Sequence, residues 1–243
     1  MKPMELLGET VTPDGTDMKL TRRDTEYIIL ASGKSLMSSR MHGSEEALAT
    51  LACQAWRGVR AAAPAARATH HDAGPPCVLV GGLGMGFTLR AILDLLPADA
   101  RIVVAELVPA VVEWNREILG ELAGHPLKDK RVRVELGDVA AVLRAGRGRF
   151  DAVLLDVDNG PTPFTTPENA KLYGDEGIAN ARAALKPGGV LAVWSARPNR
   201  RFEQRLRYAG FVVEVENVRG RLKKGGPRHT IFLAHNPQTE PRP

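Results

Sequence analysis

Cysteine is nearly absent: Cys53 and Cys77 are the only two in 243 residues. A disulfide framework is therefore not expected, and neither cysteine has metal-ligand company. The pair fits a reducing compartment, so a cytoplasmic protein with no bound metal is expected. No apolar run approaches the roughly 20 residues of a membrane-spanning helix, so no membrane partner is expected. The opening MKPMELLGET carries two acids and no apolar core, unlike a secretory signal. The pattern GxxxxGK[ST] is also missing, which argues against a nucleoside triphosphate site.

What is present is ordinary for a globular enzyme: 44% hydrophobic and 25% charged residues, with a net charge of +5. The length suits one large α/β domain with a small appendage. Residues 5–40 are β-rich, with turn signals at Asp14-Gly15 and Ser32-Gly33. Ser44 precedes EEALATLACQAW, a capped helix start with two acids in its first turn. Residues 61–76 lack periodicity and read as a linker. From Val78 onward, strands alternate with helices, and FVVEVENV and HTIFLAHN close the chain as two antiparallel strands. The expected fold is α/β: a Rossmann-like doubly wound sheet, mostly parallel with an antiparallel last strand, after a small β-rich N-terminal region. The expected division is 1–60 (β-rich region plus helix), 61–76 (linker), 77–236 (Rossmann-like domain) and 237–243 (disordered tail).

The stretch VLVGGLGMGFTLR, Val78 to Arg90, carries the chemistry. Gly81, Gly82, Gly84 and Gly86 form a turn between a buried strand and a helix, where backbone approaches a ligand. Tight strand-to-helix packing is the alternative reading of those glycines. Glu106 ends the second strand about 20 residues on, placed to accept hydrogen bonds from ribose hydroxyls. Asp138 ends the third strand, where it could accept from an adenine amino group or merely cap a helix. Asp156 and Asp158 end the fourth, in LLDVDNGP. Acids at three strand ends, and no basic residue in the glycine loop, suit a cationic ligand such as S-adenosylmethionine better than a pyrophosphate.

The order GGLGMG, AEL, LGD, LLDVDNGP, LKPGGVLAV resembles the class I S-adenosylmethionine-dependent methyltransferase fold and, more narrowly, the spermidine synthase (aminopropyltransferase) family. The resemblance implies decarboxylated S-adenosylmethionine as donor, a polyamine acceptor and a homodimer. Three departures stand out. Gly84 replaces the aspartate of the family's GGGDGG loop, which there holds the donor's amino group. Laid on the family's DExxYHE segment, Ser44–Thr50 puts Leu48 and Ala49 where tyrosine and histidine stand. One residue separates Asp156 from Asp158 instead of two, and Asn159 stands where the family has proline. Gly84 removes a carboxylate that would repel intact S-adenosylmethionine. The leading expectation is therefore a methyltransferase using S-adenosylmethionine and a small-molecule acceptor, with aminopropyl transfer as the alternative. Asp156 and Asp158 are the catalytic candidates, Asp156 also facing the cofactor. Asp158, His42 and Trp194 are candidates for acceptor binding.

A further reading is RNA binding or modification. Arg219–His229 is strongly basic, and Arg200, Arg201, Arg205 and Arg207 add to it from the preceding helix. No aromatic residues interleave with these basic ones, which weakens a single-strand stacking platform.

Overall fold

The computed structural model of the chain describes residues 3–61, 74–157, 160–161, 171–221 and 225–237. Most of the expected linker, residues 62–73, and the tail from 238 lie outside the described residues. The N-terminal region is a four-stranded antiparallel meander: β1 (Glu5–Val11), β2 (Asp17–Arg23), β3 (Glu26–Ala31) and β4 (Lys34–Ser38). The two-residue turn Ser32-Gly33 has φ of 47° and 72°. Two left-handed residues in succession match the twist of the flanking strands. Side chains alternate as a one-sided sheet requires, so Met18, Leu20, Ile29 and Ala31 turn inward.

Helix α1 (Gly43–Ala61) follows, longer than the expected segment. Its buried stripe, Leu48, Ala49, Ala52, Cys53 and Trp56, packs into the core shared with the main sheet. That sheet has seven strands in the order β10-β11-β9-β8-β5-β6-β7. The parallel part comprises β5 (Cys77–Gly81), β6 (Arg101–Glu106), β7 (Val132–Leu136), β8 (Phe150–Leu155) and β9 (Leu185–Ser195). The closing strand β11 (Arg228–His235) runs antiparallel to both β9 and β10 (Val212–Arg219).

Successive residues of the central strands serve opposite faces. Val78, Val80, Ile102, Val104, Ala152 and Leu154 join the core with α1, α2 (Phe87–Leu95) and α3 (Pro109–Arg116). Leu79, Val103, Val153 and Leu155 join the core with α4 (Val139–Ala145), α5 (Asp175–Ala184) and α6 (Arg200–Tyr208). Near-continuous apolar strands follow from burial on both faces. Each fully buried Leu or Ile there contributes about 1.5–3 kcal/mol. The third helix is shorter than its pattern suggests: α3 stops at Arg116, and two 3-10 turns carry the chain to β7.

Strand β5 is the first of the sheet in sequence and lies in its interior. The chain winds outward through β6 and β7 on one side and through β8 and β9 on the other. The order therefore reverses between β5 and β8, and a crevice opens at their carboxyl ends.

Candidate active site

The glycine loop leaves β5 at that crevice. Gly82 has φ of 89°, and a Cβ there would lie 2.4 Å from the Asp156 carbonyl oxygen. Only glycine lets the two strand ends approach so closely. Gly86, at φ 83°, precedes α2 as its N-cap. Glu106 fastens the loop from the end of β6: one carboxylate oxygen accepts from the Leu83 N–H at 2.8 Å and the other from the Val108 N–H at 2.9 Å. Burial raises its pKa, and these backbone donors, with that of Gly84, pull the other way. Asn115 of α3 holds the loop from below, donating from Nδ2 to the Gly84 carbonyl at 2.7 Å.

Asp156 follows β8 by one residue, and its N–H donates to the Gly81 carbonyl at 2.9 Å. Its side chain accepts a hydrogen bond from the Thr88 hydroxyl at 2.7 Å. Burial pushes its pKa up to about 6, against the lowering effect of that bond. Beside it stands Glu45, in the first turn of α1, only 8% exposed. Burial pushes the Glu45 pKa up to about 8, and the Asp156 charge adds to the rise, while the Ser44 hydroxyl, donating at 2.6 Å, opposes it. Among the described residues, no lysine or arginine forms an ion pair with either acid.

A cleft of about 280 Å³ joins these groups. Gly82, Gly84, Glu106, Asp138, Asp156 and Trp194 line it, so six of the residues singled out from the sequence come together. Asp138 also caps α4, accepting from the Ala140 N–H at 2.8 Å. The Trp194 ring lies against His229 with centroids 4.7 Å apart. Gly81 and Gly86 are packing positions beneath the loop: added Cβ atoms would meet Val139 Cγ2 at 2.8 Å and Asn115 Oδ1 at 2.9 Å. His42 stands apart from the lining. Its ring stacks on Phe87 with centroids 4.2 Å apart, and its Nδ1 lies 2.7 Å from Glu46 Oε1. Asp158 lies outside the described residues.

The N-terminal meander closes the cleft from the opposite side, and Met37 of β4 is its nearest approach to the glycine loop. A Cβ on Gly84 would fall 2.6 Å from Met37 Cε and 2.9 Å from its Sδ. Leu48 and Ala49 are fully buried in the core. The residues of that turn that reach the cleft are Ser44 and Glu45 instead. Of the helical arginines, Arg205 lies 3.6 Å from Asp175 and Arg207 lies 2.9 Å from Glu203.

A doubly wound domain with an acid-lined cleft at its switch point, roofed by an antiparallel meander, belongs to the α/β class whose ligands sit at the carboxyl ends of the strands. Residues 65–205 match the spermine/spermidine synthase domain, and the chain belongs to that family. It is 34% identical over 154 residues to a polyamine aminopropyltransferase of Mycobacterium tuberculosis, an alignment covering 60% of this chain and 28% of that protein. It is 33% identical over 130 residues to a polyamine aminopropyltransferase of Nitrosomonas europaea, covering 54% of this chain and 38% of that one. The chain thus matches well under half the length of these curated relatives. Its fold superposes on that of spermidine synthase from Thermotoga maritima with a TM-score of 0.71 at 18% identity, covering 97% of this chain and 74% of that one.

These findings overturn the expected methyltransferase assignment, because the family and the matched relatives are those of aminopropyl transfer. At Gly84 itself an added Cβ would meet the Met37 thioether, with Cε 2.6 Å and Sδ 2.9 Å away.

Proposed function

We propose that the chain transfers the aminopropyl group of decarboxylated S-adenosylmethionine to an amine of the polyamine class. The observation that carries this is Asp156: a partly buried acid at the switch point, its pKa raised by desolvation, bonded to a hydroxyl and paired with no cation among the described residues. A buried carboxylate left without a cation is costly, and a cationic acceptor supplies the missing charge. The family membership and the names of the matched relatives support the same donor.

The residues present fit that donor. Glu106, held by backbone N–H groups, keeps acceptor capacity for ribose hydroxyls. Asp138, two residues after β7, lines the same cleft and offers a carboxylate acceptor for a base amino group. The donor supplies a sulfonium whose adjacent carbon is already electrophilic. The protein's task is to hold an amine nitrogen in line with that carbon and to keep water out. In the transfer a C–N bond forms and the C–S bond breaks, leaving its electron pair on a neutral thioether. The attacking nitrogen sheds one proton, and Asp156, with its pKa raised toward neutrality, is placed to accept it.

The test is product analysis of the purified chain with the decarboxylated donor and a panel of linear diamines and triamines. Transfer gives an aminopropylated amine and the thioether nucleoside in equal amounts. No product with any amine, from a protein that binds the donor, refutes the reading.

A further inference from the structure

Glu45 was given no site role in the sequence, only a place in the helix start, yet it is one of the most deeply buried carboxyls among the described residues. It sits in the first turn of α1 and lines the same cleft as Asp156. Thr88 lies between the two: its hydroxyl donates to Asp156 at 2.7 Å and stands 3.5 Å from the Glu45 backbone carbonyl. The charged groups acting on Glu45 are Asp156 and the neighbouring Glu46, whose own carboxyl is engaged by His42. From α2 the facing group is Thr88, and from its own turn it is Ser44. Among the described residues, the charges that act most strongly on Glu45 are both negative, and Glu45 lines the cleft.

Two carboxyls in one dry pocket repel, so one of them keeps its proton while the pocket is empty. A primary ammonium donates up to three hydrogen bonds and carries the opposite charge. We propose that Glu45 is the second carboxyl of the acceptor site, acting with Asp156 as a two-acid clamp on the cationic nitrogen of the acceptor; this rests on the aminopropyl-transfer reading above. When the ammonium enters, its charge replaces that of the proton held by the pair, and that proton leaves to solvent. Asp156 takes one proton from the bound ammonium before attack, freeing the lone pair that forms the C–N bond, while Glu45 holds the remaining N–H groups and fixes the approach. The clamp selects amines that are cationic at the reacting end and discriminates against neutral alcohols or amides of the same shape.

The proton count distinguishes a clamp from a merely structural acid. Calorimetric titration of a linear diamine near neutral pH, in two buffers of different ionisation enthalpy, reads the protons released on binding. The wild-type protein releases close to one proton per amine bound. Glu45→Gln binds the amine about tenfold more weakly or worse, and the release disappears. Gln54→Ala, on the exposed face of the same helix and outside the cleft lining, behaves as wild type and controls for disturbance of α1. A Glu45→Gln protein with unchanged amine affinity and unchanged proton release overturns the clamp, while wild-type transfer to amines leaves the parent reading standing. Failure of the wild type to bind any amine overturns both.

Discussion

Replacing Glu45 by glutamine makes the empty protein more stable at high pH. An unperturbed glutamate titrates near 4.5, and burial and the Asp156 charge move Glu45 to about 8. Each pH unit between those values is worth about 1.4 kcal/mol of preference for the protonated form. The sign follows from proton counting. Between pH 4.5 and 8 the folded chain binds more protons at this site than the unfolded chain, so stability falls as pH rises. From pH 5 to pH 8 the loss reaches about 4 kcal/mol as a ceiling, and about 2 kcal/mol once the pocket admits water to the carboxylate. Glutamine keeps the shape and carries no charge, so it removes that loss. For a chain of this size, 1 kcal/mol shifts the melting temperature by roughly 2–4 °C. Thermal unfolding of wild type and Glu45→Gln without amine should therefore give similar melting temperatures at pH 5. At pH 8 the variant should melt roughly 5–15 °C higher. Curves that stay parallel from pH 5 to pH 8 would show that Glu45 titrates like a solvated acid, and the reasoning about the dry pocket would be wrong.

Asp156→Asn removes the proton acceptor but keeps the Thr88 contact; turnover should fall about 10²–10⁴-fold while calorimetry finds donor affinity within a few-fold of wild type. Glu106→Ala strips two backbone N–H groups of their buried acceptor. It should weaken donor binding by about 2–3 kcal/mol in the same assay, with a lower melting temperature. Gly82→Ala forces a Cβ against the Asp156 carbonyl and strains a residue at φ 89°; denaturant unfolding should show a loss of about 2–4 kcal/mol, with activity lost in step.

The main sheet was legible because its strands are short apolar runs and its helices carry their own stops, such as Pro97 after α2. The meander was legible from turn chemistry at Asp14-Gly15 and Ser32-Gly33, whereas the turn at Asp24 carries no glycine, and its φ of 54° shows only in the fold. The glycine loop and Glu106 follow from spacing along one βαβ unit, and Asp156 from its place at the end of a later strand in the same alternating pattern. Glu45 was read as one of two acids decorating a helix start. Its signal was present: it lies three and four residues before Leu48 and Ala49, on the same stripe as Ala52 and Trp56. An acid on the buried stripe of an amphipathic helix has left water for a reason, whereas Glu46 faces His42 near the surface. The contact between Met37 and Gly84 had no such signal. It joins residues far apart in the chain through the docking of one sheet on another, and no local pattern encodes that distance. The Gly84 argument weighed charge alone and left out the Met37 side chain that packs there.

The central claim is that this cleft passes an aminopropyl group to an amine. The most direct measurement is mass spectrometry of paired incubations, one with decarboxylated S-adenosylmethionine and one with the intact form, each with the same linear diamines and triamines. The account predicts an acceptor extended by one aminopropyl unit with the decarboxylated donor and no modified acceptor with the intact one. A methylated acceptor from the intact donor, with nothing from the decarboxylated form, would contradict it.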